Sequence, residues 1–237
     1  MNLKETLNYR RSVRVYDPEK EIDTEKVKQC IQQATLAPNS SNMQLWEFYH
    51  ITSKDVLQQL SNACFDQLAA RTAKQMVVFV VRKDLWKKRA QANLNFIQNA
   101  NIKYADPKRE KLGLDYYKKL IPIIYSEFLG IWGYLKYFAF YIAGWFRPIY
   151  RQVRRSDMRI VAHKSVGLAA QTFMLSMAEL KYDTCPMEGF DSKLIKKALK
   201  LPRKAEINMV ISCGIRLPEG VYGDRFRIPF DEVYFKN

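Results

Sequence analysis

Six consecutive apolar residues, Met76-Val77-Val78-Phe79-Val80-Val81, narrow the architectures open to this chain. Successive side chains of a β-strand point to opposite faces, and β-branched residues favour that geometry. A strand apolar on both faces needs a packed layer above and below, so this one belongs at the centre of a covered sheet. Residues 46–51 and 207–212 read as further strands, with a shorter one near 183–186. Residues 2–8, 24–35, 161–180 and 192–200 read as helices, the second behind an Asp23 N-cap with Val27, Ile31 and Ala34 on one face. Helices and strands alternate, so the class is α/β or α+β. Small residues crowd the long helix (Ala162, Gly167, Ala169, Ala170, Ser176, Ala178), which places it in the core or at a subunit interface. Pro218, Gly220, Gly223 and Pro229 make the end of the chain an extended arm. A length of 237 residues fits one domain, 1–237, with a sizeable core.

The formal net charge of +15 predicts attraction to anions, whether phosphate-bearing cofactors, lipid headgroups or nucleic acid. The basic residues are dispersed and no nucleic-acid motif accompanies them, so no nucleic-acid partner is expected. The four cysteines are far apart without a C-x-x-C pair, and His50 and His163 are not spaced as ligands. Neither a metal site nor a disulfide framework is expected, and a reduced, cytoplasmic protein is. The first residues lack an apolar core of signal-peptide length.

Three segments could carry chemistry, and a fourth, after the long helix, joins them through a family resemblance. Arg10-Arg11-Ser12-Val13-Arg14 offers guanidinium forks, which grip phosphate oxygens in pairs and keep their charge. Arg225 and Arg227 alternate around Phe226, and on an extended chain such residues face the same side. Pro38-Asn39-Ser40-Ser41-Asn42-Met43-Gln44-Leu45-Trp46 is a polar loop, and Cys185-Pro186-Met187-Glu188-Gly189-Phe190-Asp191 follows the long helix. The ordered set resembles the nitroreductase-like family, with its R-R-S-x-R start, its P-S-S-x-N-x-Q-P-W loop, its P-x-E-G-F-D-like segment and its late basic pair. The resemblance runs from Leu3 to about Pro229. Asn39 departs from the family's usual Ser and Leu45 from its Pro.

What the resemblance implies is an α+β fold, a central, mostly antiparallel sheet flanked by helices, in an intertwined homodimer with FMN at the subunit interface. Hydride would pass from NAD(P)H through the flavin N5 to a small flat acceptor, a nitroaromatic or a quinone, in a ping-pong sequence. Arg10 and Arg227 would grip the phosphate with Arg11 and Arg225 beside them, and Ser12 would bond the ribityl chain or phosphate. Arg14 would stand at the N1/O2 edge of the ring. Pro38, Asn39, Ser40 and Asn42 would line the ring from the other subunit, and Glu188 and Gly189 would lie near N5. Because flavin carries the redox step, no side chain is assigned as catalytic. Dehalogenation, substrate oxidation, flavin fragmentation or FMN binding without turnover are the alternatives on the same scaffold. Gln67, Arg71 and Lys74 are equal candidates for a further ring contact. His163 reads as a cap or surface group at a helix start, and Cys185 as a small apolar filler.

An aromatic-rich insertion at about 116–155 lies outside this pattern. It holds Tyr125, Phe128, Leu129, Trp132, Tyr134, Tyr137, Phe138, Phe140, Tyr141, Trp145 and Phe146, with Lys118, Lys119, Arg147, Arg151, Arg154 and Arg155 around them. Glu127 and Lys136 interrupt it, so no stretch reaches the roughly 20 apolar residues that a spanning helix needs. It reads as an arm packing across a dimer, a lid over a flat acceptor, or a peripheral contact with the inner face of a membrane.

Overall fold

In the computed structural model, which describes residues 1–99, 107–126 and 132–237, the apolar run becomes the heart of a four-stranded sheet. The strands are β1 (Trp46–Ile51), β2 (Gln75–Val81), β3 (Asp183–Met187) and β4 (Glu206–Gly214). They lie in the order β1-β2-β4-β3, every neighbour antiparallel. The helices are α1 (Leu3–Tyr9), α2 (Thr24–Ala34), α3 (Lys54–Ala63), α4 (Leu68–Arg71), α5 (Trp86–Asn99), α6 (Pro107–Asp115), α7 (Ile121–Tyr125), α8 (Trp132–Ala143), α9 (Arg155–Glu179) and α10 (Ser192–Ala198). The class is α+β.

Strand β2 is buried on both faces, as its composition requires. Val77, Phe79 and Val81 enter a core with Val27 and Ala34 of α2 and Ala169 and Phe173 of α9. Met76, Val78 and Val80 enter a second core with Leu60 of α3, Ala70 of α4 and Ile195 of α10. Phe79 and Phe173 meet with ring centroids 5.5 Å apart. The strand begins one residue earlier than its apolar run because Gln75, though buried, is satisfied. Its Nε2 donates to Ile22 O (3.0 Å) and Thr24 Oγ1 (3.1 Å), and its Oε1 lies 2.7 Å from His50 Nε2.

Caps set the helix ends. Asn2 and Glu5 form a reciprocal capping box on α1, and Asp23 Oδ1 accepts Glu25 N (2.8 Å) at the start of α2. Helix α9 starts at Arg155 rather than near 161. The Asp157 carboxylate accepts from the Arg154 backbone N–H and its guanidinium, both at 3.1 Å, and so caps the helix six residues upstream of the expected start. His163 therefore sits in the third turn, with Nε2 3.3 Å from Glu206 Oε2, and is not an end group. Beside it β4 bulges at Asn208, where the register with β2 shifts, and Asn208 Nδ2 donates to His163 O (3.2 Å).

Where described, the insertion is largely helical as far as Ala143 and irregular over residues 144–154. A π-helical turn (Tyr116–Leu120) joins α6 to α7. Ile121 and Tyr125 are buried, with Tyr125 stacked on Trp86 at 6.1 Å. Glu127, Phe128 and Leu129 lie outside the described residues. Among the described residues no helix is long and apolar enough to cross a membrane.

Candidate functional site

Both ends of the chain build one cavity. Val13 N donates to Thr184 O (3.1 Å) and Ser12 bridges Thr184 in parallel, so residues 12–14 run along the free edge of β3. Beyond them lies the chain after β4: Arg14 N donates to Gly220 O (2.7 Å) and Leu217 N to Val15 O (3.3 Å). Glycine is required at 220, because a Cβ there would overlap the Val15 carbonyl oxygen. The buried Asp183 carboxylate fixes the same junction. It accepts Arg216 N and Nε, both at 2.8 Å, while Arg216 Nη2 bonds Asp183 and reaches Tyr9 O at 3.0 Å.

The resulting cavity, of about 260 Å³, is lined by five arginines (Arg10, Arg11, Arg14, Arg225, Arg227), with Ser12 and a lone carboxylate, Asp224. The five residues expected at the phosphate end and Arg14, expected at the ring edge, thus share one cavity, yet they are not equivalent. Arg225 spends its fork on carbonyls, Nη1 to Leu7 O (3.0 Å) and Nη2 to Asn8 O (3.1 Å) and Arg10 O (2.6 Å), tying the arm to the end of α1. Arg11 Nη2 donates to Gly223 O (2.9 Å), and Arg227 Nη1 to Phe226 O (2.6 Å). Among the described residues Arg10 and Arg14 have no side-chain partner. Burial, then the charges of Arg225, Arg227 and Arg11, push the Arg10 pKa down. Five cations facing one another across a half-enclosed space repel, and a multivalent anion relieves that repulsion. The donor set therefore fits the phosphate of a group such as FMN.

Pro38, Asn39 and Ser40 line a second cavity of about 290 Å³, with Val161, Lys164, Ser165 and Leu168 of α9. Within one protomer they do not share a cavity with the arginines. Their loop is held in an unusual shape: Ser41 (φ 54°), Asn42 (φ 48°) and Gln44 (φ 47°) are all left-handed without being glycine. Such strain persists only where the surroundings over-determine it. Tyr116 Oη lies 2.6 Å from Ser41 Oγ, Tyr117 Oη donates to Ser41 O (2.8 Å), and Asn42 Nδ2 donates to Asn93 Oδ1 (2.9 Å). Asn39 Oδ1 accepts Gln44 N (2.8 Å), so the asparagine that replaces the family's serine closes the loop itself. The Asn42 side chain, held on α5, lines neither cavity.

Glu188 and Gly189 are exposed just past β3 and also line neither cavity. Gly189 O accepts Gln67 Nε2 (2.9 Å), which donates equally to Cys64 O (2.9 Å). Of the three open candidates, Gln67 bonds this turn, whereas Lys74 is engaged with Pro18 O (2.5 Å) and Glu21 (2.6 Å). Nothing in the sequence marks it: the kink that presents it is made by Phe65 (φ 59°) and Asp66 (φ 48°), neither a turn glycine. Cys185 is fully buried, and burial raises its thiol pKa although Arg14 and Arg10 draw it back.

Fold and site together define an α+β protein whose sheet edge and two chain ends form a cationic cradle for an anionic ligand. The model of the nitroreductase family matches residues 7–215, and the chain belongs to that family. It is 25% identical over 216 residues to protein DrgA of Synechocystis sp., covering 91% of this chain and 85% of that one. To YdgI of Bacillus subtilis, provisionally named an NAD(P)H nitroreductase, it is 26% identical over 237 residues, covering 97% and 94%. The fold is shared with a provisionally named nitroreductase from Exiguobacterium sibiricum solved in complex with FMN, at TM-score 0.70 and 22% identity over 100% of this chain and 98% of the other.

Proposed function

We propose that this chain, read as a single unit bearing one aromatic insertion, is an FMN-dependent oxidoreductase. It passes electrons from NAD(P)H to a small flat acceptor, a nitroaromatic or a quinone, by a ping-pong sequence. The cavity in which five arginines face one carboxylate carries the reading. The FMN complex of the Exiguobacterium sibiricum protein and the NAD(P)H in the name of YdgI support it.

When bound, FMN would supply two-electron redox chemistry, the hydride-level exchange that no side chain of the cradle provides. Arg10, whose donors are uncommitted, and Arg227, at the exposed rim, hold the phosphate, with the Ser12 hydroxyl beside them. Arg14 would hold a fixed positive charge towards the edge of the ring that becomes negative on reduction, and so would favour reduction. Arg11 and Arg225 keep the arm in place through their carbonyl bonds. Glu188 and Gly189, the latter held by Gln67, would orient the ring face through the backbone.

Pro38, Asn39, Ser40 and Asn42 act from the second subunit of a homodimer. That assembly accounts for two half-sites in one protomer, and for the exposed Phe226, Ile228, Phe230 and Phe235 of the arm. Four buried, unpaired cysteines fit a reducing compartment such as the cytoplasm. The test is the visible spectrum of the purified protein, followed by anaerobic addition of NADPH and then NADH. A flavin spectrum bleached by either donor is expected. No flavin uptake after incubation with FMN would overturn the reading, and a flavin that neither donor bleaches would leave a binding protein without turnover.

A further inference from the structure

We propose that α8 and the basic segment after it dock on an anionic bilayer surface, lying at headgroup depth without crossing. The inner side of this helix is fixed. Lys136 is buried, and its ammonium donates to the carbonyls of Ile123 (3.1 Å), Ile124 (3.0 Å) and Ser126 (2.9 Å) at the end of α7. Gly133, one turn away on the same side, lets the helix approach the backbone of Arg154 and Arg155, where an added Cβ would sit 3.4 Å from Arg155 N. The opposite side therefore points outward along its whole length. It presents Tyr134 (70% exposed), Leu135 (56%), Phe138 (65%), Tyr141 (42%), Ile142 (36%) and Trp145 (66%), and Phe146 (84%) follows. That is a continuous apolar stripe at helical spacing with no polar residue in it.

Charge selects the occupant. From Trp132 to Ser156 the chain has no acidic residue, while Lys136, Arg147, Arg151, Arg154 and Arg155 are basic. Arg151 reaches back to Gly144 O (2.7 Å) and lies over Tyr141 (5.7 Å), and Arg154 lies over Tyr137 (5.0 Å). Cationic heads thus rim the aromatic stripe, with Arg147 exposed at its end. An apolar stripe in the acyl boundary with tyrosine, tryptophan and arginine at headgroup level is the arrangement by which a helix lies in the interface plane. Arg154 is paired with Asp157, but a second copy would set the exposed Arg147 and Arg155, which no carboxylate meets among the described residues, against the same cations. Anionic headgroups complement the rim, each basic residue near such a surface adding about fivefold in binding.

Flotation of the FMN-loaded protein with phosphatidylcholine vesicles containing about one-third phosphatidylglycerol tests this, pure phosphatidylcholine serving as control. Wild type is expected to float with the anionic vesicles, to release in high salt, and to show a blue-shifted tryptophan emission that Trp145→Phe diminishes. The triple variant Phe138→Ser/Trp145→Ser/Phe146→Ser and, independently, Arg147→Glu/Arg155→Glu are each expected to lose more than tenfold in vesicle affinity while keeping bound FMN. The second variant touches no buried side chain and so guards against a folding artefact in the first. Wild type that fails to float would overturn the proposal. So would two variants that bind like wild type, or a triple variant whose dimer dissociates in sedimentation, which would assign the stripe to a second copy.

Discussion

Replacing Arg10 with alanine separates ligand binding from folding, because its guanidinium, set among four other arginines, has no partner of its own among the described residues. A charge-assisted contact to a phosphate is worth about 1.5–3 kcal/mol net. A fork engaging two oxygens lies at the upper end, and at 1.4 kcal/mol per factor of ten the loss is about a hundredfold in FMN affinity. In the ligand-free protein the sign reverses. Burial and like charges already disfavour the Arg10 cation, so removing it relieves repulsion, and the melting temperature should hold or rise by a few degrees, about 2–4 °C per kcal/mol for a chain of this size. Riboflavin lacks the phosphate and should bind wild type and variant alike. Fluorescence titrations with both ligands and thermal melts of the apoprotein supply the three readings. FMN affinity within about threefold of wild type, or a parallel fall for riboflavin, would refute the reasoning. Arg225→Ala is the contrast: with three backbone carbonyls released, it should lower apoprotein stability as well as affinity.

Arg216→Ala leaves the buried Asp183 carboxylate without its main partner, which costs about 3–5 kcal/mol and lowers the melting temperature by roughly 10 °C; the Asp183→Ala/Arg216→Ala double variant should recover part of that in a thermal-melt cycle. Gly220→Ala forces the arm away from Val15 at a cost of about 1–3 kcal/mol, and a titration should show FMN affinity falling with it. Cys30 and Cys64, raised by burial to about 11 from 9.0, should resist a thiol reagent at pH 8 until the protein is unfolded. Between those two values the unfolded state binds fewer protons than the folded one, so chemical-denaturation midpoints should fall as pH rises through that window.

The fold was readable where one residue type leaves one option. A run apolar on both faces has to be central, and β2 is; Asp23 has few roles before a helix other than its cap. That six residues from two distant segments belong together was readable for a similar reason, since Arg10, Arg11, Ser12, Arg14, Arg225 and Arg227 converge on one cavity. What escaped depends on distant backbone. Arg10 and Arg225 are the same residue type in similar company, yet one keeps its fork free and the other spends it on carbonyls 215 and 218 positions away. The start of α9 escaped because Arg154 and Asp157 read as surface charge until they face each other across a helix terminus. Tyr116 and Tyr117 read as part of an aromatic insertion, although their hydroxyls fasten the loop at Ser41.

That the arginine cavity is shared between the two ends of the chain has a consequence for how the molecule is made. During synthesis the last strand of the sheet is finished at Gly214, whereas Arg225 and Arg227 are added only afterwards. The four strands and the buried core residues all precede the arm in sequence, and the contacts that complete the cradle span 215 to 218 positions. An intermediate with its sheet paired but its arm undocked would lack Arg225 and Arg227 from the cradle, so its flavin retention should fall below that of the finished molecule and report on docking of the arm.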